Sequence, residues 1–448
     1  MELFPDLQKR YTKDVYSARE AQRFAELIAF GPVVFQASRL MVKYGILDLL
    51  RDAPEGLTQE EVASKAGISL YASKCLLEAS LSIGLVLVDT DTDRFTISKV
   101  GWFLLNDPAA RVNLDFNNDV NYEGFFKLDE SFREGRPAGL EHFGPWNTIY
   151  EGLSQLPEDA RKSWFAFDHF YSDNSFDAAL DIIFSAPVGH ILDVGGNTGR
   201  FALKCTGRDP KVKVTILDLP QQIRTMQEET ASKPGADRIS GYGIDLLSDA
   251  PFPSGETYDV IWMSQFLDCF TPEQILSILR RAADVMTEDT RLCIMELLWN
   301  RQRFEPAALC LTLTSLYFTA MANGNSKMYY SGDLISLVEK AGLEVEQIHD
   351  GIGQGHNILV CKKVKATTMI TQRDIIEKVN AFFVEEFEIS EELLTPKATL
   401  RKDLGIDSLD VVDVIVLVDR EFGVKITTEE LKSLVTLGDL YAFIESKL

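Results

Sequence analysis

Paired cysteines are missing from this sequence. Its 448 residues include six cysteines, and no two of them stand in a CxxC pair. Structural metal sites and disulfide frameworks usually show recognisable cysteine spacings. The sequence therefore predicts reduced thiols, as in a cytoplasmic protein, and no bound metal ion. The six residues are Cys75, Cys205, Cys269, Cys293, Cys310 and Cys361.

Long hydrophobic runs and positive charge are also scarce. No run approaches the ~20 apolar residues that a membrane-spanning helix needs. Residues 1–14 have no apolar stretch after their charges, unlike a signal peptide. The chain has 45 Lys and Arg residues against 68 Asp and Glu, a net charge of −23. Because such a surface repels phosphate backbones, we expect no binding to nucleic acid. The lack of a membrane-spanning run and of a signal-peptide pattern predicts a cytoplasmic protein that does not bind a membrane.

What is present indicates several globular domains. Hydrophobic residues make up 46% and charged residues 25% of the chain, as in folded proteins, and the length predicts roughly three domains. We predict a mainly helical winged-helix domain at 1–110 and an α/β domain at 111–363, within which 111–187 form a helical lid. A polar linker at 364–370 and an acidic helical domain at 371–448 complete the prediction.

The first domain shows helix and hairpin signals. Residues 45–50 read as the end of an amphipathic helix. Thr58 and Glu61 fit a capping box at the start of the next helix, and Gly67 fits its C-terminal cap. A polar turn separates two short apolar runs between residues 85 and 97, which predicts a hairpin.

A helix–turn–helix with a wing can bind DNA, but this example lacks the necessary charge. The presumed recognition helix carries one lysine, Lys74, and one glutamate, Glu78. DNA-reading helices are rich in basic residues. We therefore expect a dimerisation or packing role for this domain.

The second domain alternates apolar runs with helical patterns. The runs HILDV, VKVTILDL, YDVIWMS and RLCIMELL are buried-strand candidates, and a hairpin-like run closes the domain before residue 363. Such alternation is typical of a doubly wound parallel sheet. The fold class is therefore α/β and Rossmann-like, between two mainly helical domains.

A glycine-rich loop follows the first of these strands. The chain reads DVGGNTG from Asp193 to Gly199 and then opens a helix. Glycine lets a backbone approach a ligand closely. The second strand ends at Asp218, whose carboxylate can accept hydrogen bonds from ribose hydroxyls, and GYGID follows, ending at Asp245. The loop lacks the GxGxxG spacing, which disfavours a nicotinamide dehydrogenase.

Together these motifs resemble the small-molecule O-methyltransferases of plant and bacterial secondary metabolism, over roughly residues 15–363. That family's motif is DVGGGTG, and Asn197 replaces one glycine here. The resemblance implies S-adenosylmethionine as cofactor, with Asp218 at its ribose and Asp245 near its adenine. It also implies a homodimer that pairs through the N-terminal domains. The implied cofactor residues are Asp193, Gly195, Gly196, Gly199, Asp218, Leu219, Asp245 and Leu246.

The catalytic position departs from the family. Asp268 stands where a segment like MKWILHDW has its histidine base, while Glu296 matches the supporting glutamate. Asp268 could be a base with a raised pKa, or it could assist methylation of a ring carbon beside a phenolate. Methyl transfer could instead be lost, as in relatives that decarboxylate or hydroxylate. In a purely structural interpretation, Asp268 caps the helix that begins near Thr271.

Aromatic residues are concentrated between 125 and 176, and most of them are expected in the core. Some could line an apolar pocket for a flat substrate. Tyr329 falls in the loop where the resembled family presents substrate-contacting residues, and His356 could lie near the same pocket mouth. The candidate pocket residues are therefore Trp164, Phe167, Tyr329 and His356.

The last domain resembles an acyl carrier protein over its entire length, most closely those of aryl polyene and flexirubin-type pathways. GIDSLD, residues 405–410, precedes an amphipathic helix. The resemblance implies that Ser408 carries 4′-phosphopantetheine, and a helix N-terminus suits its phosphodiester. It also implies a phosphopantetheinyl transferase and pathway acyl-transfer or ketosynthase enzymes as partners.

The combined prediction is an S-adenosylmethionine-dependent methyltransferase with catalytic Asp268 and Glu296. Its predicted substrate is a (hydroxy)aryl acyl thioester tethered to its own carrier or to a separate one, methylated on oxygen or carbon. Two alternatives remain at this point. One is a decarboxylase- or hydroxylase-like relative that has lost methyl transfer, and the other is a scaffold without enzymatic activity that recruits a carrier.

Overall fold

The protein folds as two compact units, Met1–Lys363 and Val364–Leu448. The structure is a computed structural model, and it describes residues 1–364, 372–407, 410–422 and 424–447. The predicted phosphopantetheine site, Ser408, and residues 365–370 of the predicted linker lie outside the described residues.

The first unit begins with helices and a hairpin whose boundaries follow local signals. The capping box between Thr58 and Glu61 is present, and Gly67 ends that helix with φ +67°. One interpretation was wrong, because residues 45–50 do not end a longer helix. Gly45 adopts φ +67° and starts a separate helix, since a left-handed residue interrupts helical hydrogen bonding. The elements are α1 (Pro5–Tyr11), α2 (Ala18–Ala29), α3 (Gly31–Lys43), α4 (Ile46–Arg51), α5 (Gln59–Ala66), α6 (Leu70–Ile83), β1 (Val86–Asp89), β2 (Arg94–Ile97), α7 (Lys99–Asn106) and α8 (Pro108–Phe116).

Helix α2 buries none of its own residues within the chain. Its large side chains include Phe24, 47% exposed, and Ile28, 66% exposed, and the exposed Phe30 and Val33 follow it. Among the described residues, no single helix has the length and apolar character to cross a membrane, and α2 passes that test only jointly with α3, across a bend of 78°.

A lid of short helices follows, and its aromatic core contacts the neighbouring α/β layer. The core groups Phe116, Leu140 and Ile149 with Leu297 and Tyr317. The lid helices are α9 (Leu128–Glu134), α10 (Ile149–Gly152), α11 (Glu158–Ser172) and α12 (Phe176–Ile183), and a π-helical turn (Asn117–Asn121) precedes them.

The centre of the first unit is a seven-stranded sheet in the order β5-β4-β3-β6-β7-β9-β8. Strands β3 to β7 are parallel, and the terminal hairpin β8–β9 joins β7 in antiparallel orientation. The elements are β3 (His190–Val194), α13 (Arg200–Arg208), β4 (Lys213–Asp218), α14 (Pro220–Thr230), β5 (Ile239–Gly243), β6 (Val260–Ser264), α15 (Pro272–Val285), β7 (Arg291–Glu296), α16 (Glu305–Tyr317), a π-helical turn (Phe318–Ala322), α17 (Ser331–Lys340), β8 (Leu343–Ile352) and β9 (His356–Lys363).

This topology brings the predicted site residues together at the carboxyl ends of the parallel strands. Asp193 and Asp218 lie at the carboxyl ends of β3 and β4, Glu296 ends β7, and Asp268 follows β6. In open α/β sheets, ligands bind in the crevice outside the carboxyl ends of the strands. The predicted site residues therefore lie where this fold class binds its ligands.

The second unit has its own hydrophobic core. Ile375, Phe383, Val418, Leu437 and Ile444 are buried at its centre. The helix Asp410–Phe422 has acidic residues in its first turn and leaves Val412 and Val416 exposed. The described helices are α18 (Gln372–Phe387), α19 (Asp410–Phe422), α20 (Thr428–Ser433) and α21 (Leu437–Lys447).

Candidate active site

The loop after β3 folds back tightly between β4 and the turn after β6. Gly195, Asn197 and Gly199 have φ of 76°, 49° and 81°. Asn197, which replaces a glycine of the family motif, thus adopts the left-handed region that asparagine tolerates better than most residues. A Cβ on Gly195 would lie 2.4 Å from the ring of Phe266, so a side chain there would displace the next site element.

Two carboxylates lie beneath this loop, one half-buried and one fully buried. Asp218 accepts hydrogen bonds through Oδ2 from the Asn197 N–H (3.0 Å) and through Oδ1 from the Leu219 N–H (2.7 Å). Asp193 is buried, and its Oδ2 has no hydrogen-bond partner among the described residues. Burial, with repulsion from Asp218, raises the pKa of Asp193 to about 8. A buried polar atom without a partner is rare, and it indicates that a hydrogen-bonding ligand belongs here.

The remaining predicted cofactor residues follow β4 and β5. The Asp245 carboxylate accepts a hydrogen bond from the Leu247 N–H (2.9 Å) and remains exposed. Leu246 is buried, while Leu219 is 40% exposed at the start of α14. Leu219 and Leu246 thus place apolar side chains beside the acids, as a nucleoside site needs.

Asp268 lies in a tight turn, residues 265–270, that three side chains from other parts of the chain hold in place. Glu296 Oε1 accepts hydrogen bonds from the N–H groups of Phe266 (3.0 Å) and Leu267 (2.8 Å). The Asn323 amide donates to the Cys269 carbonyl (2.6 Å), and the Tyr329 hydroxyl donates to the Phe270 carbonyl (2.7 Å). The Asp268 turn is therefore fixed from β7 and from the segment after α16.

The turn begins with an unusual backbone geometry. Gln265 has φ +45°, and its N–H donates to the Met295 carbonyl at 2.8 Å. Its side-chain Nε2 has no hydrogen-bond partner among the described residues. Left-handed backbone at a non-glycine residue is uncommon and clusters at functional sites.

Burial perturbs both predicted catalytic acids. Asp268 is 8% exposed and Glu296 is 2% exposed. Burial raises the pKa of Asp268 to about 6, against a smaller opposing hydrogen bond from Cys269. Burial, with repulsion from Asp268, also holds the pKa of Glu296 well above its usual range, and Glu296 Oε2 has no partner among the described residues. A carboxyl group tuned near neutral pH can act as a proton acceptor.

Asp268 does not cap α15. Thr271 occupies the N-cap, and its capping box with Gln274 is complete. The alternative that Asp268 merely caps this helix is therefore wrong, because its carboxylate is not used to cap α15.

Four aromatic side chains of the lid core pack together and form an aromatic wall next to the Asp268 turn. They are Phe116, Trp164, Phe167 and Tyr317. Trp164 donates its indole N–H to the Tyr317 hydroxyl at 2.7 Å. Phe167 stacks on Phe116 with ring centroids 4.0 Å apart. Cys269, beside Asp268, packs against the same core. Trp164 and Phe167, two predicted pocket residues, thus belong to one wall.

The other two pocket candidates have different surroundings. Tyr329 is buried, and besides fixing the Asp268 turn it lines a groove of about 590 Å³ together with Pro272, Thr319 and Lys327. His356 is fully buried on β9, and its Nδ1 lies 2.8 Å from Ser175 Oγ. Burial lowers the pKa of His356 to about 4, the environment of a neutral structural histidine rather than of a residue at an open pocket mouth.

The residues fit S-adenosylmethionine. Asp193 provides a carboxylate oxygen, without a partner among the described residues, for an ammonium group, and Asp218 retains acceptor capacity for ribose hydroxyls. Gly195 lets the loop pack directly on the Phe266 ring, where a Cβ would collide. Among the described residues, no group of three or more His, Cys, Asp or Glu side chains could hold a metal ion.

Three family models match successive parts of the chain. A Dimerisation2-like domain matches residues 22–95, an O-methyltransferase domain matches 153–344, and a phosphopantetheine attachment site matches 377–444. The predicted fold class and the predicted fusion are both confirmed.

Individual relatives agree with the family models. L-tyrosine C(3)-methyltransferase of Streptomyces lavendulae is 24% identical over 323 residues, covering 71% of this chain and 86% of the relative. The acyl carrier protein of Thermotoga maritima is 39% identical over 80 residues, covering 18% of this chain and 99% of the relative. The solved structure of the S-adenosylmethionine-dependent methyltransferase SibL has the same fold, with a TM-score of 0.59 at 23% identity, over 75% of this chain and 98% of SibL.

The loop after β3, the carboxylates beneath it and the three matching models lead to one assignment. The cofactors are S-adenosylmethionine and covalent 4′-phosphopantetheine. The chain is an S-adenosylmethionine-dependent methyltransferase that contains a Dimerisation2-like domain and an O-methyltransferase domain, and it continues into an acyl carrier domain of the acyl carrier protein family.

Proposed function

We propose that this enzyme methylates a (hydroxy)aryl acyl group that is held as a thioester on 4′-phosphopantetheine, attached at Ser408 or on a separate carrier. The observation that carries the proposal is the presence of an aromatic-walled methyltransferase site and a carrier domain on one chain. A carrier exists to present acyl thioesters, and a tether raises their effective concentration at a site. Aromatic walls suit a flat acyl group.

In this proposal Asp268 is the proton acceptor. S-adenosylmethionine supplies a methyl group that is already activated on a positively charged sulfur. Asp268 removes the proton from the phenol, or from the ring carbon after attack, and Glu296 positions the Asp268 turn through the Phe266 and Leu267 amides. The lid excludes water from this region. C-methylation is a property of the tyrosine C(3)-methyltransferase relative, and both oxygen and ring carbon remain candidates for the acceptor atom.

The residues that we propose to bind the cofactor lie at or near the carboxyl ends of the same parallel strands. We propose that Asp193 binds the ammonium group, that Asp218 and Leu219 bind the ribose side, and that Asp245 and Leu246 bind the adenine side. Gly195, Gly196 and Gly199 give the backbone room to approach. A Cβ on Gly196 would lie 2.7 Å from Asp193 Oδ2, which supports a requirement for glycine at that position.

The acyl carrier domain requires protein partners that modify and load it. Ser408 receives phosphopantetheine from a phosphopantetheinyl transferase, and acyl-transfer or ketosynthase enzymes load and unload the arm. The second unit is suited to partners with basic surfaces, because acidic groups such as Asp410 and Asp413 occupy the first turn of α19. We place this chemistry in the cytoplasm and in a polyketide or aryl polyene-type pathway.

The mass of the product tests the type of reaction. The phosphopantetheinylated protein is incubated with S-adenosylmethionine and the N-acetylcysteamine thioester of 4-hydroxycinnamate. A gain of one methylene in the thioester is expected. Gain of one oxygen atom without a methylene would contradict the proposal and support the hydroxylase alternative. Loss of carbon dioxide from free 4-hydroxycinnamate, assayed in parallel, would support the decarboxylase alternative.

The pH dependence of methyl transfer follows from the pKa of Asp268. A base must be ionised to accept a proton, so kcat rises with pH through about 6 and levels off above ~7. An exposed aspartate would give a midpoint near ~4. The titratable groups that interact with Asp268 are Asp168 from α11, Cys269, Glu296 and the hydroxyls of Tyr150, Tyr317 and Tyr329. The measurement is single-turnover methyl transfer between pH 5 and 8, and a flat profile over a range in which the protein stays folded would contradict the assignment.

We propose that α2 pairs the subunits of a homodimer. None of its side chains is buried within the chain, and residues 22–95 match a Dimerisation2-like domain. Replacing Ile28, which is 66% exposed, with glutamate is expected to shift the protein from dimer to monomer in light scattering at micromolar concentration. Leu393→Glu, at a comparably exposed position in the second unit, is the control and stays dimeric. Monomeric wild-type protein would contradict the proposal.

A further inference from the structure

The groove of about 590 Å³ that Tyr329 lines lies beside the Asp268 turn. Tyr329 is 4% exposed, and its hydroxyl donates to the carbonyl of Phe270, the last residue of that turn, at 2.7 Å. Pro272, two residues further along the chain, also lines the groove. A volume of this size holds a small-molecule ligand. The groove therefore adjoins the segment that carries the proposed proton acceptor.

The groove offers hydrogen-bonding groups that the chain leaves unused. Asn325 and Ser336 line it, and neither side chain has a hydrogen-bond partner within the described part of the chain. Ser315 and Thr319 add two further hydroxyls to the lining. Because an amide both donates and accepts hydrogen bonds, such a lining suits a ligand that has amide groups along its length.

The charge of the groove is positive, although the net charge of the chain is −23. Its charged residues are Lys327, Lys340 and Asp333, so one positive charge is in excess. Lys327 pairs with Asp333 at 3.5 Å, whereas Lys340 is exposed and has no ion-pair partner among the residues that the structure describes. Asp333, Ser336 and Lys340 share one face of α17 through their spacing of three and four residues. Lys340 is thus placed to attract an anionic group at the groove.

We infer that this groove receives the 4′-phosphopantetheine arm of an acyl carrier domain, with Lys340 at the phosphodiester and Tyr329 towards the thioester. This rests on the proposed function and names the surface that binds the arm. Phosphopantetheine combines amide groups with one anionic group, which matches the lining, and this chain itself carries the arm. A coenzyme A thioester contains the same arm, but the carrier is the source that a fused domain supplies at high effective concentration.

The test compares three thioesters of 4-hydroxycinnamate that contain increasing lengths of the arm. These are the N-acetylcysteamine, pantetheine and 4′-phosphopantetheine thioesters, and the enzyme is the full chain before phosphopantetheinylation, so that no tethered arm competes. We expect kcat/KM to rise at least ~5-fold from the pantetheine to the phosphopantetheine thioester, because only the latter has the phosphate that Lys340 attracts. This gain should shrink at high salt, since the charge of Lys340 is exposed.

Variants of Lys340 assign the gain to the groove. Lys340→Glu is expected to abolish the gain, and Lys340→Arg to keep it. Lys233→Glu makes the same change of charge at an exposed position outside the groove and should leave the gain unaltered. A gain that persists in Lys340→Glu, or an equal loss for all three thioesters, would overturn the assignment.

Binding measurements separate this inference from the proposed reaction. Calorimetry titrates 4′-phosphopantetheine without an acyl group into the same protein in the presence of S-adenosylhomocysteine. Weaker binding to Lys340→Glu than to the wild type, without methylation of any thioester, would support the groove and count against the reaction. Equal binding to both, with methylation of the N-acetylcysteamine thioester, would support the reaction and overturn the groove. A preference above ~10-fold for the coenzyme A thioester over the phosphopantetheine thioester would overturn the assignment to a carrier.

Discussion

Replacing Asp268 with asparagine is expected to lower kcat for methyl transfer by about 100- to 10,000-fold, the range for loss of a general base. The amide keeps the size of the side chain but cannot accept the proton. Because the glycine loop packs on this turn through the ring of Phe266 and not through Asp268, the Kd for S-adenosylmethionine should change less than about twofold. Single-turnover kinetics and calorimetry on the same preparation measure the two quantities.

The matched control is Asp284→Asn, on the exposed face of α15, which should leave kcat unchanged. A modest loss in Asp268→Asn, below about fivefold, would show that the nucleophile needs no base from this residue. A parallel loss of cofactor affinity would instead indicate that the turn supports the cofactor site.

Replacing Asp218 with alanine is expected to weaken S-adenosylmethionine binding at least ~100-fold. The carboxylate anchors the glycine loop at Asn197 and keeps acceptor capacity for the ribose. Charge-assisted hydrogen bonds contribute about 1.5–3 kcal/mol each, and 1.4 kcal/mol is a factor of ten in Kd. Two such bonds account for the expected loss. Isothermal calorimetry measures Kd directly.

The control for this variant is Asp237→Asn, an exposed position in the short turn before β5. Circular dichroism establishes that Asp218→Ala remains folded. Unchanged affinity in folded Asp218→Ala would place the ribose elsewhere and remove the main support for the cofactor assignment.

The sequence predicted most of the sheet but not β5. Strands β3, β4, β6 and β7 are continuous apolar runs, which is how buried parallel strands appear in sequence. Strand β5 contains Gly241 and Gly243 and lies at the edge of the sheet, so it lacks the continuous apolar run that identified the other strands. A Cβ on Gly241 would lie 2.5 Å from Ile223 of α14, and close helix packing explains the glycine.

The site was only partly predictable for a related reason. Local motifs revealed the glycine loop, Asp218 and Asp268. Tyr150, Asn323 and Asp168 carry no motif, because each reaches the Asp268 turn from a distant part of the chain. Tyr150 donates to Cys269 Sγ at 3.3 Å and Asn323 to the Cys269 carbonyl, and only the folded backbone brings these groups together.

The most direct test of tethered methylation is intact mass spectrometry of the phosphopantetheinylated protein. The arm is loaded with a 4-hydroxycinnamoyl group, and S-adenosylmethionine is added. One methylene of added mass on the arm is expected in the wild type, none in Asp268→Asn, and no loading in Ser408→Ala. A correctly loaded wild-type protein that binds S-adenosylmethionine but gains no mass, with either this acyl group or 4-hydroxybenzoyl, would contradict the account.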